Sequence, residues 1–365
     1  MKIAILTLGC RTNQAESAGM AELLRSRGHE TVDSGQLAVD SLAVDAVIIN
    51  TCTVTATADK KSRNAIRRLR KLYPNALLAV CGCLTQTEAV GIEGIDLIGG
   101  TSGRAAFVAE LEKALTSPGP SVPPAGGGEF SDAYEDTLPD ARPIGRSRAY
   151  IKIQDGCDNL CAYCKVPLAR GRARSRPAGS VIKAAKQAAD GGAVEIVLTG
   201  IEISSYRPSL AELTADVCRA AAPVPARLSS LAPSCVDDLF VNALKEVDNF
   251  RPAFHLSLQS CCDKTLAAMG RRYAVSDIFA FFERVRGAWE NAVITADVIV
   301  GFPGETGADF EKTLQNLRKL KPDGLHIFPY SRREGTAAAA MPGQLTRAIK
   351  TERARRLAAE FPKGT

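Results

Sequence analysis

Two α/β bodies joined by a long connection are what this sequence predicts, and three observations carry that expectation. Apolar β-type runs alternate with helical patterns before residue 117, and do so again after residue 146. Alternation of that kind builds parallel sheets covered by helices. Between the two parts, Ser117-Pro118-Gly119-Pro120 through Pro143-Ile144-Gly145 is rich in Pro and Gly, net negative and without sustained periodicity. About thirty such residues are too many for an internal loop, so residues 117–146 read as an interdomain linker. With 45% apolar and 24% charged residues in a chain of 365, the composition is ordinary for a globular protein of two domains.

In the first part, residues 1–116, the expected order begins with a strand from Lys2 to Leu8 and a helix from Gln14 to Ser26 closed by Gly28. A strand from Val44 to Asn50, a basic helix from Ala58 to Leu72, a strand from Ala76 to Val80 and a helix from Arg104 to Leu115 follow. The product is a parallel-sheet, Rossmann-like domain, and open sheets of that type place ligands at the carboxyl ends of their strands. Cys10, Cys52 and Cys83 each follow one of these strands closely. Three thiols far apart in sequence should therefore meet at one sheet edge, as a candidate metal site one ligand short of four. The competing reading is that cysteine, among the most buried residue types, only fills core space. Cys81 is a rival to Cys83, but a residue still on the strand points differently from one in the loop, so Cys83 is preferred.

The second part repeats a strand-plus-helix unit six times, with strands near 149–154, 193–199, 226–231, 253–259, 292–300 and 324–330 and helices such as Val181 to Ala189 and Phe310 to Leu320. Six units rather than eight predict a partial (β/α)6 barrel over residues 147–342, open enough for a large substrate. A terminal helix from about Thr346 to Phe361 lies in residues 343–365.

Where the first barrel strand ends stands Gly156-Cys157-Asp158-Asn159-Leu160-Cys161-Ala162-Tyr163-Cys164. A 4Fe-4S cube takes four ligands, so a C-x3-C-x2-C loop leaves one iron open to a substrate. That spacing is the signature of radical S-adenosylmethionine (SAM) enzymes. A zinc site or buried structural thiols are the alternatives, although zinc ribbons pair two C-x2-C knuckles and the second is missing. Eleven cysteines, an odd number, suit metal ligation in a reducing compartment better than a disulfide framework. No apolar run reaches the roughly 18 residues of a membrane span and no signal peptide opens the chain, so a cytoplasmic protein without membrane contact is expected. The net charge of +6 divides into +1 over residues 1–116, −3 over 117–146 and +8 over 147–365, which makes an anionic partner plausible.

These motifs, and several more, resemble the methylthiotransferases, radical SAM enzymes with two iron-sulfur clusters. The likeness runs over about residues 1–360. It includes Leu8-Gly9-Cys10-Arg11-Thr12-Asn13, Asn50-Thr51-Cys52-Thr53-Val54-Thr55 and Gly82-Cys83-Leu84-Thr85-Gln86 in the first part. Leu198-Thr199-Gly200, Ser229-Ser230-Leu231-Ala232-Pro233, His255-Leu256-Ser257-Leu258-Gln259-Ser260, Asp297 through Thr306 and Phe328-Pro329-Tyr330-Ser331 carry it through the second. The surroundings of Cys52, with Ala58-Asp59-Lys60-Lys61-Ser62-Arg63, Gln154-Asp155-Gly156-Cys157 and Arg170-Gly171-Arg172, look most like the branch acting on tRNA that bears N6-threonylcarbamoyladenosine beside the anticodon.

The resemblance implies that Cys157, Cys161 and Cys164 hold a 4Fe-4S cluster that binds SAM and cleaves it to a deoxyadenosyl radical. It implies that Cys10, Cys52 and Cys83 hold an auxiliary 4Fe-4S cluster that presents or supplies sulfur, while a second SAM gives the methyl group. SAM contacts fall to Tyr163, Gly200, Gln259, Asp297 and Gly301, and no side-chain acid or base is expected to be catalytic, since the cofactor carries the chemistry. tRNA and an electron donor such as flavodoxin or ferredoxin are the implied partners. Two basic runs are candidates for RNA: Lys60, Lys61, Arg63, Arg67, Arg68, Arg70 and Lys71 on one helix, and Arg170, Arg172, Arg174 and Arg176 beside the cysteine loop, the second being favoured because it adjoins the chemistry. Two features depart from the family: the C-terminal RNA-binding barrel usual in members that act on tRNA is not expected within residues 343–365, and Cys261 stands where a Gly is usual. Neither Cys261 nor Cys262 is expected to be a ligand. The alternatives are methylthiolation of isopentenyladenosine in tRNA, of an aspartate of a ribosomal protein, or a metal-bearing RNA-binding module without enzymatic activity.

Overall fold

A computed structural model describes residues 1–33, 43–88, 94–116, 130–141 and 147–363. The expected linker falls partly outside them, at 117–129 and 142–146. The chain forms two compact units, residues 1–158 with 165–201, and residues 159–164 with 202–365.

The first unit is built on a parallel sheet. β1 (Lys2–Thr7), α1 (Arg11–Ser26), β2 (Glu30–Asp33), β3 (Ala46–Thr51), α2 (Ala56–Leu72), β4 (Leu77–Gly82), α3 (Cys83–Thr87), β5 (Leu97–Ile98) and α4 (Arg104–Thr116) give the strand order β2-β1-β3-β4-β5. The central runs are apolar at nearly every position, as strands covered on both faces are. Alternate side chains therefore feed two cores. Ile3, Ile5, Ile48 and Ala79 meet Met20 and Leu24 of α1 and Phe107 and Leu111 of α4 on one face, while Ala4, Val47, Ile49 and Val80 meet Ile66 and Leu69 of α2 on the other. Thr55 caps α2, its hydroxyl accepting from the Ala58 amide at 3.1 Å, an interaction of about 1 kcal/mol. Burial of Ile66 and Leu69 contributes roughly 1.5–3 kcal/mol each. They are the only large apolar side chains that α2 buries.

The same unit carries β6 (Arg148–Lys152), β7 (Gln154–Asp155), α5 (Val166–Arg170), β8 (Arg174–Ser175), α6 (Ala178–Asp190) and β9 (Glu195–Thr199). β6 and β9 pair in parallel and β7 with β8 antiparallel. Residues 130–141 have no helix or strand, yet they are tied down: the Tyr134 hydroxyl donates to the Lys152 carbonyl at 3.0 Å, and Arg176 grips both oxygens of Asp140 at 2.7 and 2.6 Å.

In the second unit β10 (Ala226–Leu228), β11 (Ser230–Leu231), β12 (Ala253–Gln259), β13 (Val293–Val300) and β14 (Gly324–Pro329) alternate with α7 (Leu210–Ala221), α8 (Asp238–Leu244), α9 (Asp263–Ala268), α10 (Val275–Ala288) and α11 (Gly307–Leu320). Short α12 (Ala337–Ala340) and the terminal α13 (Arg347–Glu360) complete it. β11 to β14 form one parallel sheet. Period-two alternation sorts β12. Phe254, Leu256 and Leu258 are buried, Phe254 stacking among Phe240, Phe250, Phe281 and Trp289. His255, Ser257 and Gln259 take the opposite face. The mixed α/β architecture is the expected one, an N-terminal parallel sheet followed by further strand-helix units, and all six expected barrel strands are present. Among the described residues no helix is long and apolar enough to cross a membrane.

Candidate functional site

Register decides where the first three cysteines fall. Thr7 pairs with Asn50, and Asn50 with Cys81, so β1, β3 and β4 end side by side. Cys10 follows as the N-cap of α1, Cys52 directly after β3, and Cys83 as the first residue of α3. Their loops close on one another. Gly9 has a φ of +106°, and a Cβ there would stand 2.9 Å from the Cys52 sulfur, so no other residue lets the Cys10 loop approach. Burial pushes the Cys52 thiol up to about 12, with the charges of Cys10 and Cys83 adding to it. Burial also raises Cys83, against the pull of Arg170. Ligation requires the thiolate form, so a metal group of high charge is what would offset this desolvation. Among the described residues no three His, Cys, Asp or Glu side chains surround one ion position. A cube binds each thiolate through a different iron and spreads its ligands wider than a single ion does. Cys81 lies on β4 in the core with Ile3, Ile5 and Phe107.

Beneath the trio is a buried ionic network that sequence reasoning missed. Glu16 of α1 accepts from Arg170 Nη1 at 2.6 Å, Lys152 Nζ at 2.8 Å and Arg104 Nη2 at 3.0 Å. Arg170 also donates to Asp155 Oδ1 at 3.1 Å and to Asn13 Oδ1 at 3.0 Å. Asn13 Oδ1 in turn faces the Cys10 thiol at 3.6 Å. Although burial opposes it, the cations Arg170, Lys152 and Arg104 hold the Glu16 carboxyl well below its ordinary range.

This network corrects one expectation. The arginine run 170–176 does not present a row of charges to RNA: Arg170 is 1% exposed and committed to Glu16, Arg174 stands 3.7 Å from Asp155 with its guanidinium over the Phe130 ring, and Arg176 is taken by Asp136 and Asp140. Arg172 alone projects, 83% exposed. Charge in a sequence marks a cation but not the carboxylate that will claim it.

The second cysteine set lies on a loop through which the chain passes from one unit to the other and back. In the first unit, the Cys157 amide donates to the Gly171 carbonyl at 3.0 Å. Gly156 before it has φ +69°, and a Cβ would fall 1.8 Å from the Arg172 carbonyl oxygen, a position only glycine can hold. In the second unit, Cys164 N donates to Cys161 O at 3.0 Å in a tight turn, Ala162 N to Met269 O at 2.9 Å, and Ala338 N to Ala162 O at 2.7 Å. Arg271 Nη1 donates to the Cys161 sulfur at 3.2 Å while its guanidinium lies over the Tyr273 ring.

The expected SAM contacts are distributed as follows. Tyr163 meets Phe302 edge-on at 6.4 Å, and burial drives its phenol well up. Gly200 directly follows β9 in the first unit. Gln259 ends β12 with φ +62°, a left-handed conformation rare for a residue with a side chain and common where function constrains the backbone. Asp297 Oδ1 lies 3.1 Å from His255 Nε2 on the adjacent strand, and His255 Nδ1 lies 2.8 Å from Thr295 Oγ1. Gly301 N donates to Glu305 Oε1 at 2.9 Å. Cys261 is fully buried, burial raises its thiol, and its carbonyl accepts from Asn316 at 2.8 Å.

Residues 2–97 match the uncharacterized protein family UPF0004, and residues 151–317 match the radical SAM superfamily. Over 98% of its length the chain is 36% identical to the threonylcarbamoyladenosine tRNA methylthiotransferase MtaB of Bacillus subtilis (strain 168), covering 79% of that protein. The chain belongs to the radical SAM methylthiotransferases, in the MtaB branch. The MtaB protein of Thermotoga maritima is 34% identical over 96% of this chain and 80% of its own length. Among solved structures, the radical SAM methyltransferase TsrM from Kitasatospora setae, with cobalamin and a 4Fe-4S cluster bound, matches with a TM-score of 0.67 at 18% identity, over 92% of this chain and 76% of that one. That last likeness is one of fold.

Proposed function

We propose that this methylthiotransferase adds a methylthio group to N6-threonylcarbamoyladenosine beside the anticodon of tRNA. In this reading Cys157, Cys161 and Cys164 hold the 4Fe-4S cluster that takes SAM, and Cys10, Cys52 and Cys83 hold an auxiliary one. The single observation that carries it is the convergence of three thiols from Gly9-Cys10, Thr51-Cys52 and Gly82-Cys83 at the carboxyl ends of adjacent parallel strands. When bound, these groups supply reductive cleavage of SAM and a sulfur donor, chemistry no side chain offers.

The chain's own residues supply the surroundings. Arg271 keeps a positive donor on the Cys161 sulfur, and Arg170, fixed by Glu16 and Asp155, keeps one near Cys83. Both offset the negative charge that three thiolates bring to a cluster. Tyr163, Gly200, Gln259, Asp297 and Gly301 would contact SAM. Residues 1–116 would act as the auxiliary-cluster domain, 117–146 as linker, 147–342 as the radical SAM domain and 343–365 as a terminal helix. Eleven free thiols fit work in a reducing cytoplasm with a flavodoxin or ferredoxin as electron donor.

The test is reconstitution under anaerobic conditions, then incubation with SAM, reductant and tRNA bearing the modified adenosine, followed by nucleoside mass spectrometry. Methylthio mass on that adenosine is expected. The same mass found only on isopentenyladenosine, or only on a ribosomal protein, would replace the substrate named here.

A further inference from the structure

With the arginine run removed from consideration, the basic residues of α2 stand apart. Seven cations crowd this helix, yet residues 1–116 as a whole carry 13 basic and 12 acidic side chains, a balance of +1. The structure divides the seven. Arg63 is claimed by Glu88, and Arg70 by Asp96 and the carbonyls of Gly94, Pro74 and Ala76. The remaining five, Lys60, Lys61, Arg67, Arg68 and Lys71, are all exposed, and among the described residues none forms an ion pair.

Helical geometry lays the five out in two rows. Lys60, Arg67 and Lys71 recur at spacings of seven and four, and Lys61 and Arg68 at seven, so each set lines one side of the same solvent face. Ser62, Ile66 and Leu69 occupy the opposite, buried stripe. Like charges at i and i+4 destabilise a helix, and α2 has a single acidic residue, Asp59, to relieve them. A self-repelling row held at the surface is the electrostatic footprint of a polyanion site. Its location matters as well. α2 begins just after Cys52, and the Ser62 hydroxyl donates to the Cys52 carbonyl at 3.1 Å, which ties the helix to the thiol loop.

We propose that the solvent face of α2, bearing Lys60, Lys61, Arg67, Arg68 and Lys71, binds the phosphate backbone of the RNA substrate. The identity of the polyanion rests on the reading of tRNA as substrate. Phosphate contacts of this kind position a nucleic acid without reading its sequence.

The test compares unaltered holoenzyme with a variant carrying K60Q, K61Q, R67Q, R68Q and K71Q, and with a second carrying only K60Q, R67Q and K71Q. Glutamine is a good helix former and the positions are exposed, so with the repulsion relieved circular dichroism melts should fall no lower than that of the unaltered protein. Binding to tRNA bearing the modified adenosine is measured across a salt series. Each phosphate that a substituted side chain no longer neutralises should lower the slope of log K against log salt by about 0.7. The five-site variant should therefore fall roughly 3.5 units below the unaltered slope if all five side chains reach phosphate, with the three-site variant between. A control with K183Q and K186Q, exposed on α6, should keep the full slope. Equal slopes for the five-site variant and unaltered protein would overturn the proposal, as would an unaltered protein that does not bind RNA. Nucleoside mass spectrometry on the same samples separates the two ideas. Methylthio product from the unaltered protein with an unchanged slope in the five-site variant sinks the surface alone, and a reduced slope in that variant with no product from the unaltered protein sinks the substrate reading alone.

Discussion

Replacing Glu16 by Gln would test whether the buried ionic network holds the cysteine-bearing loops in place. The side chain is 3% exposed and receives four charge-assisted bonds, two from Arg170 at 2.6 and 3.1 Å, one from Lys152 at 2.8 Å and one from Arg104 at 3.0 Å. Glutamine preserves the shape but removes the charge, leaving Arg170 and Lys152 with Asp155 as their carboxylate and Arg104 with the Asn50 side-chain oxygen at 3.3 Å. Breaking a buried pair in this way costs about 3–5 kcal/mol, because the stranded charge stays desolvated. Natural domains have only about 5–15 kcal/mol to lose. Urea unfolding followed by circular dichroism should show this drop in E16Q, against less than about 1 kcal/mol in E22Q, whose exposed partner is Arg25. The pH dependence has a definite sign. A carboxyl held low in the folded state stabilises fully above its ordinary value near 4.5 and loses that contribution as pH falls below it. E16Q should therefore flatten the acid limb of the stability profile. A loss below about 1 kcal/mol together with an unchanged acid limb would refute the view that this network holds the fold.

Two further outcomes follow from local geometry. G156A, which drives a Cβ toward the Arg172 carbonyl, should distort the cysteine loop and reduce iron after reconstitution from about eight to about four per chain, read by iron and sulfide analysis. T306A removes the cap of α11, where the Thr306 hydroxyl accepts from Asp309 N at 3.2 Å, and should cost about 1 kcal/mol in urea unfolding. Bonds from Lys264 and Thr306, outweighing slight burial, hold Asp309 at about 2, so its contribution is present above 3.8 and fades as pH drops toward 2. T306A should shrink that acid-sensitive portion.

What the sequence disclosed and what it hid follow one physical division. Strands with continuous apolar runs, such as Ile3 to Leu6 and Val47 to Ile49, were legible because burial on both faces writes itself into composition. β2 was not, since Glu30-Thr31-Val32-Asp33 is a short edge segment that pairs only because Lys2 to Ile5 offers it a partner. The helix expected from Gln14 begins at Arg11, and its cap, Cys10, makes no side-chain capping bond that a pattern could reveal. The candidate cysteines were recognisable from their places after strands. Their supporting shell was not, because Arg170, Glu16 and Asp155 are distant in sequence and only packing declares that they meet. Arg271, which reaches the Cys161 sulfur, lies in a stretch without any motif.

The division of labour between the two cysteine sets is the central claim, and deoxyadenosine formation with iron content in two triple variants tests it most directly. With Cys157, Cys161 and Cys164 changed to Ala, SAM cleavage should vanish while about four irons remain per chain. With Cys10, Cys52 and Cys83 changed to Ala, about four irons should also remain, deoxyadenosine should still form, and no methylthio product should appear. Loss of deoxyadenosine in both variants, each folded as well as the unaltered protein, would contradict the account.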